Sequence, residues 1–248
     1  MVSLGSAARF VVGTNCFNDS LMFFTVIYGA PVTKGKFKWN TDFAIFTDGR
    51  QEILLDETKD APYGGIIYYT RNLEAVSTKL KELGYTLSSP PGAKIVKSAI
   101  LQTSDNVLVN IVEASHPATP DPMKSDTKID FGTFGEYAVS VTDLNRSVVE
   151  WENLGFSTYL KDEANQYAIL SDKKVLLGLH SHDLSDHISL TYFDPEMATK
   201  IRKLQFIGIK FDRLNISSPS GKELAEATAH SPNGQCFYFF TGDVKAIK

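Results

Sequence analysis

Cysteine is scarce in this chain: Cys16 and Cys236 lie at opposite ends of 248 residues. Two thiols build no disulfide framework, so a reducing cytoplasm is the expected compartment. Neither sign of charge dominates. Lys and Arg number 25 against 29 Asp and Glu, a formal net charge of −4, and the basic residues form no stripe, which argues against a nucleic-acid surface. Long apolar runs are also missing. The most apolar stretch, SLMFFTVIYGAPV (20–32), is too short to span a bilayer, and the opening MVSLGSAARFVVG has neither the basic nor the apolar segment of a signal peptide. The expectation is a cytoplasmic protein with no membrane and no nucleic-acid partner.

Several catalytic motifs are absent. There is no G-x-S-x-G and no G-x-G-x-x-G. SSPSGKEL (217–224) has Ile216 where a phosphate-binding loop needs its first glycine, and no Ser or Thr follows Lys222. HSHDLSDH (180–187) approaches the binuclear hydrolase pattern H-x-H-x-D-H, but Leu184 and Ser185 stand where the Asp-His pair is required. Cys16 reads as a buried thiol without a helix-start context.

What the chain does have is a repeat. Four segments, 10–30, 66–86, 137–157 and 188–208, each pass from an apolar strand to an amphipathic helix. Asn15, Asn72, Asp143 and Asp194 stand at the expected N-caps, with Pro195 at the first helical position. Leu73, Val76, Leu80 and Leu83 form one core stripe; Leu144, Val148, Trp151 and Leu154 form another; Met197, Ile201 and Leu204 form a third. Gly84 and Gly155 sit where helices end in a left-handed residue. Three short strands should follow each helix. In the second half they fall near 157–162, 166–171 and 174–180, then near 208–214, 226–231 and 236–242, with the turn SPNG (231–234) before the last. The fold class is therefore α+β, with four βαβββ modules in two pairs. The first pair occupies 1–114, a proline-bearing linker 115–130, and the second pair 131–248.

Four βαβββ units, with phrases such as VTDLNRSVVEWENLGF (141–156), HISLTYFDPEMATKIRKL (187–204) and HSPNGQCFYFF (230–240), resemble the vicinal oxygen chelate superfamily of glyoxalases, bleomycin-resistance proteins and extradiol dioxygenases. The resemblance spans nearly the whole chain. It implies that each pair of units wraps a strand-lined cleft into which metal ligands, where present, project. In metal-binding relatives a ligand commonly stands seven residues before the N-cap. That count gives Ala8, Gly65, Glu136 and His187. Only the second pair of units offers side chains that can coordinate, so the first is expected to act as scaffold, lid or dimer surface.

Strand parity places His187, Ser189 and Thr191 on one face, and Glu136, Ala138 and Ser140 on one face of the neighbouring strand. The family's third ligand, a glutamate after the final turn, is replaced by Tyr238, a poor ligand or a cleft-lining aromatic; the matching residue in the first half is Asn110. His180, sharing a strand face with Gly178, is a substitute ligand or, with His182, a solvated residue of a strand end and turn. His230 reaches the cleft rim or stabilises its turn. Aromatics such as Phe37, Trp39, Phe237 and Phe239 read mainly as core.

Two functions follow. One is a binding protein that holds a small organic molecule in a C-terminal cleft lined by Glu136, His187, Tyr238, Ser189 and Ser140, without a complete metal site. The other is a metal-dependent lyase or dioxygenase in which Glu136, His187 and His180 hold one divalent Fe, Mn, Ni or Zn ion. Pairing into a homodimer is in keeping with the superfamily.

Overall fold

Each repeat unit opens with a strand buried on both faces, and its helix begins where the apolar period lengthens from two residues to between three and four. A computed structural model describes residues 2–37, 40–89, 96–114, 131–181, 187–219, 221 and 223–243. The first unit is β1 (Ala7–Thr14), α1 (Phe17–Tyr28), β2 (Thr33–Lys36), β3 (Asp42–Thr47) and β4 (Glu52–Glu57). The second is β5 (Tyr63–Thr70), α2 (Leu73–Glu82), β6 (Ser98–Gln102) and β7 (Leu108–Glu113). The third is β8 (Thr133–Ser140), α3 (Leu144–Asn153), β9 (Ser157–Asp162), β10 (Tyr167–Ser171) and β11 (Leu176–His180). The fourth is β12 (Ile188–Asp194), α4 (Met197–Phe206), β13 (Arg213–Ser217), β14 (Leu224–His230) and β15 (Cys236–Thr241).

The α+β class and the pairing of modules are as the sequence implies. Units one and two make a seven-stranded sheet in the order β2-β3-β4-β1-β5-β7-β6, and units three and four an eight-stranded sheet in the order β13-β14-β15-β12-β8-β11-β10-β9. In both, the opening strands pair antiparallel at the centre, β1 with β5 and β8 with β12. Each opening strand also takes a closing strand in parallel on its other edge. Residues 115–130, read as the linker, lie outside the described residues.

Four local expectations are corrected. In the second unit the first post-helix strand is represented among the described residues by one bridge, Ser88 to Ile100. Strand β13 begins at Arg213, later than expected, because Gly208 takes φ 99° to end α4 and Ile209 then turns into the core. Leu83, assigned to the core stripe, is 48% exposed at the C-cap of α2.

The fourth correction concerns the caps. Asn72 and Asp143 cap as expected, accepting from Ala75 N (2.9 Å) and Arg146 N (3.0 Å). The caps of α1 and α4, however, are Cys16 and Glu196, not Asn15 and Asp194. In unit four, Asp194 Oδ1 accepts from Glu196 N (2.8 Å) across Pro195, forming a turn ahead of the helix. In unit one, Thr14 Oγ1 accepts from Cys16 N (3.1 Å) in an equivalent turn.

The helices lie on one face of each sheet, and these two faces meet. Phe10 of β1 stacks on Tyr137 of β8, with centroids 4.6 Å apart and planes 5° apart, and also packs on Phe134. A Cβ at Gly64 of β5 would sit 3.2 Å from Ile188 of β12. Beside this contact, Phe24 of α1 packs on Phe237 and the Tyr28 hydroxyl bonds that of Tyr192 at 2.5 Å. On the other flank Ser147 donates to Asp105 (2.6 Å). Leu144, Val148, Trp151 and Leu154, with Met197, Ile201 and Leu204, belong to one apolar cluster that runs through both halves.

Because that cluster is continuous, both halves should unfold together. Phe10→Ala is expected to cost about 3–5 kcal/mol and to shift one shared transition in urea, seen alike by tryptophan fluorescence (Trp151) and far-UV circular dichroism.

Candidate functional site

The other face of each sheet is the one on which the resemblance places a cleft, here called the cleft face, and the two differ in kind. On the seven-stranded sheet it is largely apolar, with Arg9, Asp56 and Asn110 set among the apolar side chains and Asp56 Oδ1 and Asn110 Oδ1 buried without a hydrogen-bond partner. Val11, Ile45 and Leu54 are buried there beneath Val32, Phe37, Phe43, Tyr63 and Ile67. Its charges pair locally: Arg9 bonds Glu52 and Tyr69, and its guanidinium lies 5.3 Å from the Tyr69 ring centroid. Tyr63 lies across Gly13, where a Cβ would meet its ring at 2.1 Å, and donates to Asp56 Oδ2 at 2.5 Å. Burial raises the Asp56 pKa, outweighing the lowering effect of the Tyr63 hydrogen bond.

The eight-stranded sheet has a buried polar cleft face. Register gives its rows. His187 lies beside β12's start opposite Ser140, and Ser140 neighbours His180 and then Tyr167. The next row is Cys236, Ser189, Ala138, Gly178 and Ile169. Below it stand Thr228, Tyr238, Thr191 and Glu136. Thr228, Tyr238, Thr191, Glu136 and Ser189 are all buried, Glu136 at 8% and Ser189 at 0% exposure.

Glu136 and His180 stand two rows apart on adjacent strands, yet His180 Nε2 lies 2.7 Å from Glu136 Oε1. The residue between them is Gly178. A Cβ there would fall 2.2 Å from Glu136 Oε2, so the carboxylate occupies the space a side chain would fill. The His180 ring is itself stacked on Tyr167, 5.9 Å between centroids and 15° between planes. Thr191 fixes the Glu136 backbone, its Oγ1 accepting from Glu136 N at 2.9 Å. Ser189 Oγ is buried with no hydrogen-bond partner.

These positions revise the seven-residue count. Measured from Cys16 and Glu196, it falls on Arg9 and Ser189 in place of Ala8 and His187, while Gly65 and Glu136 stand. His187 is exposed at the mouth, with its carbonyl accepting from Ser140 N. Glu136, Ser189, Ser140, Tyr238 and His180 share the cleft face. His182 lies outside the described residues. His230 bonds Asp212 Oδ2 at 2.6 Å. Cys16 proves to be half-buried and to cap α1, close to Thr14 and Ser20. Sequence reasoning missed Gly178 as the seat of the carboxylate; a glycine inside a strand was the available signal. A separate polar pocket of about 330 Å³ lies at the start of α3, lined by Asp143, Asn145, Glu163 and Ser181 among others.

No protein-family profile matches the chain, and no curated protein matches it either. Solved structures do. The 2,3-dioxygenase LapB from Pseudomonas sp. KL28 superposes with a TM-score of 0.63 at 13% identity, covering 98% of this chain and 94% of that one. The homoprotocatechuate 2,3-dioxygenase from Arthrobacter globiformis gives 0.67 at 13% identity, over 97% and 80%. The Mn(II)-bound glyoxalase from Novosphingobium aromaticivorans gives 0.61 at 13% identity, over 94% and 80%. The chain has the paired-module fold of these dioxygenases and this glyoxalase.

That fold implies a divalent metal in some of its members, and the donor set here can be tested against one. The module-equivalent positions hold Glu136 and Ser189, with Tyr238 on the final strand. A hydroxyl and a phenol beside a single carboxylate are weak donors for Fe, Mn, Ni or Zn. Glu136 is already bound to His180, and among the described residues no three His, Cys, Asp or Glu side chains converge. These residues do not fit a three-ligand centre.

Two substitutions probe this geometry. Gly178→Ala should cost about 1–3 kcal/mol by overpacking and part His180 from Glu136, read as a moved His180 imidazole resonance by NMR. The Asp56 carboxyl, whose folded pKa is raised, supports the fold while protonated and loses that support as pH rises through the folded value. Asp56→Asn should therefore raise stability at neutral pH and flatten its decline above the ordinary carboxylate range, measured as urea midpoints across pH.

Proposed function

We propose that this protein binds a small organic molecule in its C-terminal cleft and does so without a complete divalent-metal centre. The observation that carries the reading is the buried polar face. Glu136, Ser189, Thr191, Thr228 and Tyr238 are all withdrawn from water, and the Ser189 hydroxyl has no partner. Burying a hydroxyl unpaired costs about 1–3 kcal/mol, a cost that a bound ligand's polar group offsets. Tyr167 on one side and Phe240, stacked on Tyr238 at 5.6 Å, on the other supply apolar walls. The N-terminal cleft face, largely apolar, is a weaker candidate.

A second reading keeps the metal-dependent lyase or dioxygenase chemistry implied by the fold. It is favoured by one contact: Glu136 and His180, both ligand types, already lie side by side. For it to hold, His180 and His187 would have to turn toward a shared ion with Glu136. A homodimer is compatible with either reading.

Metal loading separates them. After exposure to Fe(II), Mn(II), Ni(II) or Zn(II) and desalting, elemental analysis should find far less than one equivalent per chain. Stoichiometric metal that is lost in both Glu136→Ala and His180→Ala would overturn the metal-free reading.

A further inference from the structure

The charges on the C-terminal cleft face narrow what it can accept. Strand parity places Arg213, His180, His187 and His230 toward this face, together with Glu136 and Glu226. Three of the four basic groups are matched by carboxylates: Arg213 with Glu226 at 3.4 Å, His230 with Asp212 at 2.6 Å, and His180 with Glu136 at 2.7 Å. The fourth, His187, stands exposed at the mouth. Among the described residues of the buried rows, an anionic group would therefore meet no cation without a partner and would approach the Glu136 carboxylate.

A hydrogen-bond donor finds the opposite. Glu136 Oε1 is held by His180, while Oε2 takes no hydrogen bond from any described side chain or backbone group. The carboxylate lies over Gly178, in the space a side chain there would fill, with Ala138 beside it in the middle row. Ser189 is opposite Ala138 in the same row, diagonal to Glu136, and its hydroxyl is unpaired. An acceptor oxygen and a hydroxyl that can donate or accept are thus neighbours on one face. They suit a hydroxyl or amino group, and a bond to an ionised carboxylate is the stronger kind.

Resting on the reading of this cleft as a binding site, we infer that it selects neutral or cationic molecules by their O–H or N–H donors and rejects carboxylates, with Glu136 Oε2 and Ser189 Oγ as the reading groups. Thr191 and His180 act as positioning residues, the first on the Glu136 backbone and the second on its carboxylate.

Three probes with a common ring test this: benzyl alcohol, benzylamine and benzoate, titrated into the full chain and followed by NMR shifts of the His180 and Tyr238 resonances. The alcohol and the amine should bind at least about tenfold more tightly than benzoate, since like charges brought together at a binding face are strongly disfavoured. Glu136→Gln should bring benzylamine and benzoate to similar affinities. If that variant does not fold, Ser189→Ala decides, because deleting an unpaired buried hydroxyl should leave stability unchanged or higher. It should weaken the alcohol and the amine several-fold; unchanged affinity would overturn the inference. Benzoate binding as tightly as benzylamine overturns the selectivity and leaves the cleft a binding site. No saturable shift with any probe removes both.

Discussion

A strand has two faces, and in this molecule each opening strand must bury both. One face meets the helices and, beyond them, the other half of the chain; the alternate residues form the floor of a cleft. Phe10, Ile66, Tyr137 and Leu190 answer the first demand and are fully or nearly fully buried. The two-residue alternation thereby separates the residues that pack between the halves from the polar residues of the opposite face. The whole arrangement depends on register: a slip of one residue would exchange Glu136 for Tyr137 and place a carboxylate among aromatic rings.

The two halves solve the same geometric problem with different chemistry. At the module-equivalent position one has Arg9 and the other Glu136, each bound to a neighbour across the sheet, Glu52 in the first case and His180 in the second. Around Arg9 the face is largely aliphatic and aromatic, so the pair acts as a polar rivet within a core. Around Glu136 the neighbours are Ser189, Thr191, Ala138 and Gly178, small or polar, and the pair is left with one oxygen uncommitted. Sharing a fold with metalloenzymes therefore carries no guarantee of sharing their centre, since function lies in the side chains that the fold presents.

Much of this was legible in the sequence, where the signal was local. The stripe Leu144, Val148, Trp151 and Leu154 is fully buried, and Gly84 and Gly155 take φ of 88° and 98° as helix ends require. The order of modules and the parity of Glu136 and Ser189 were also readable. The ligand count slipped at Asp194 and Asn15 because an Asx or threonine turn imitates a cap in sequence while delaying the helix by one or two residues. The contact between Glu136 and His180 was not legible, since it depends on the parallel register of β8 and β11 and on a missing Cβ 42 residues away from the acid in the chain. Histidine density in HSHDLSDH suggested a cluster; topology distributes its first and last members between a strand end and a cleft mouth.

The contact between Phe10 and Tyr137 has one more consequence. Because it joins the two sheets through their helix-bearing faces, the opposite faces of the two sheets point away from each other. The row of Glu136, Thr191 and Tyr238 is thus supported from beneath by the N-terminal half, whose packing on Tyr137 sets how firmly that row is held.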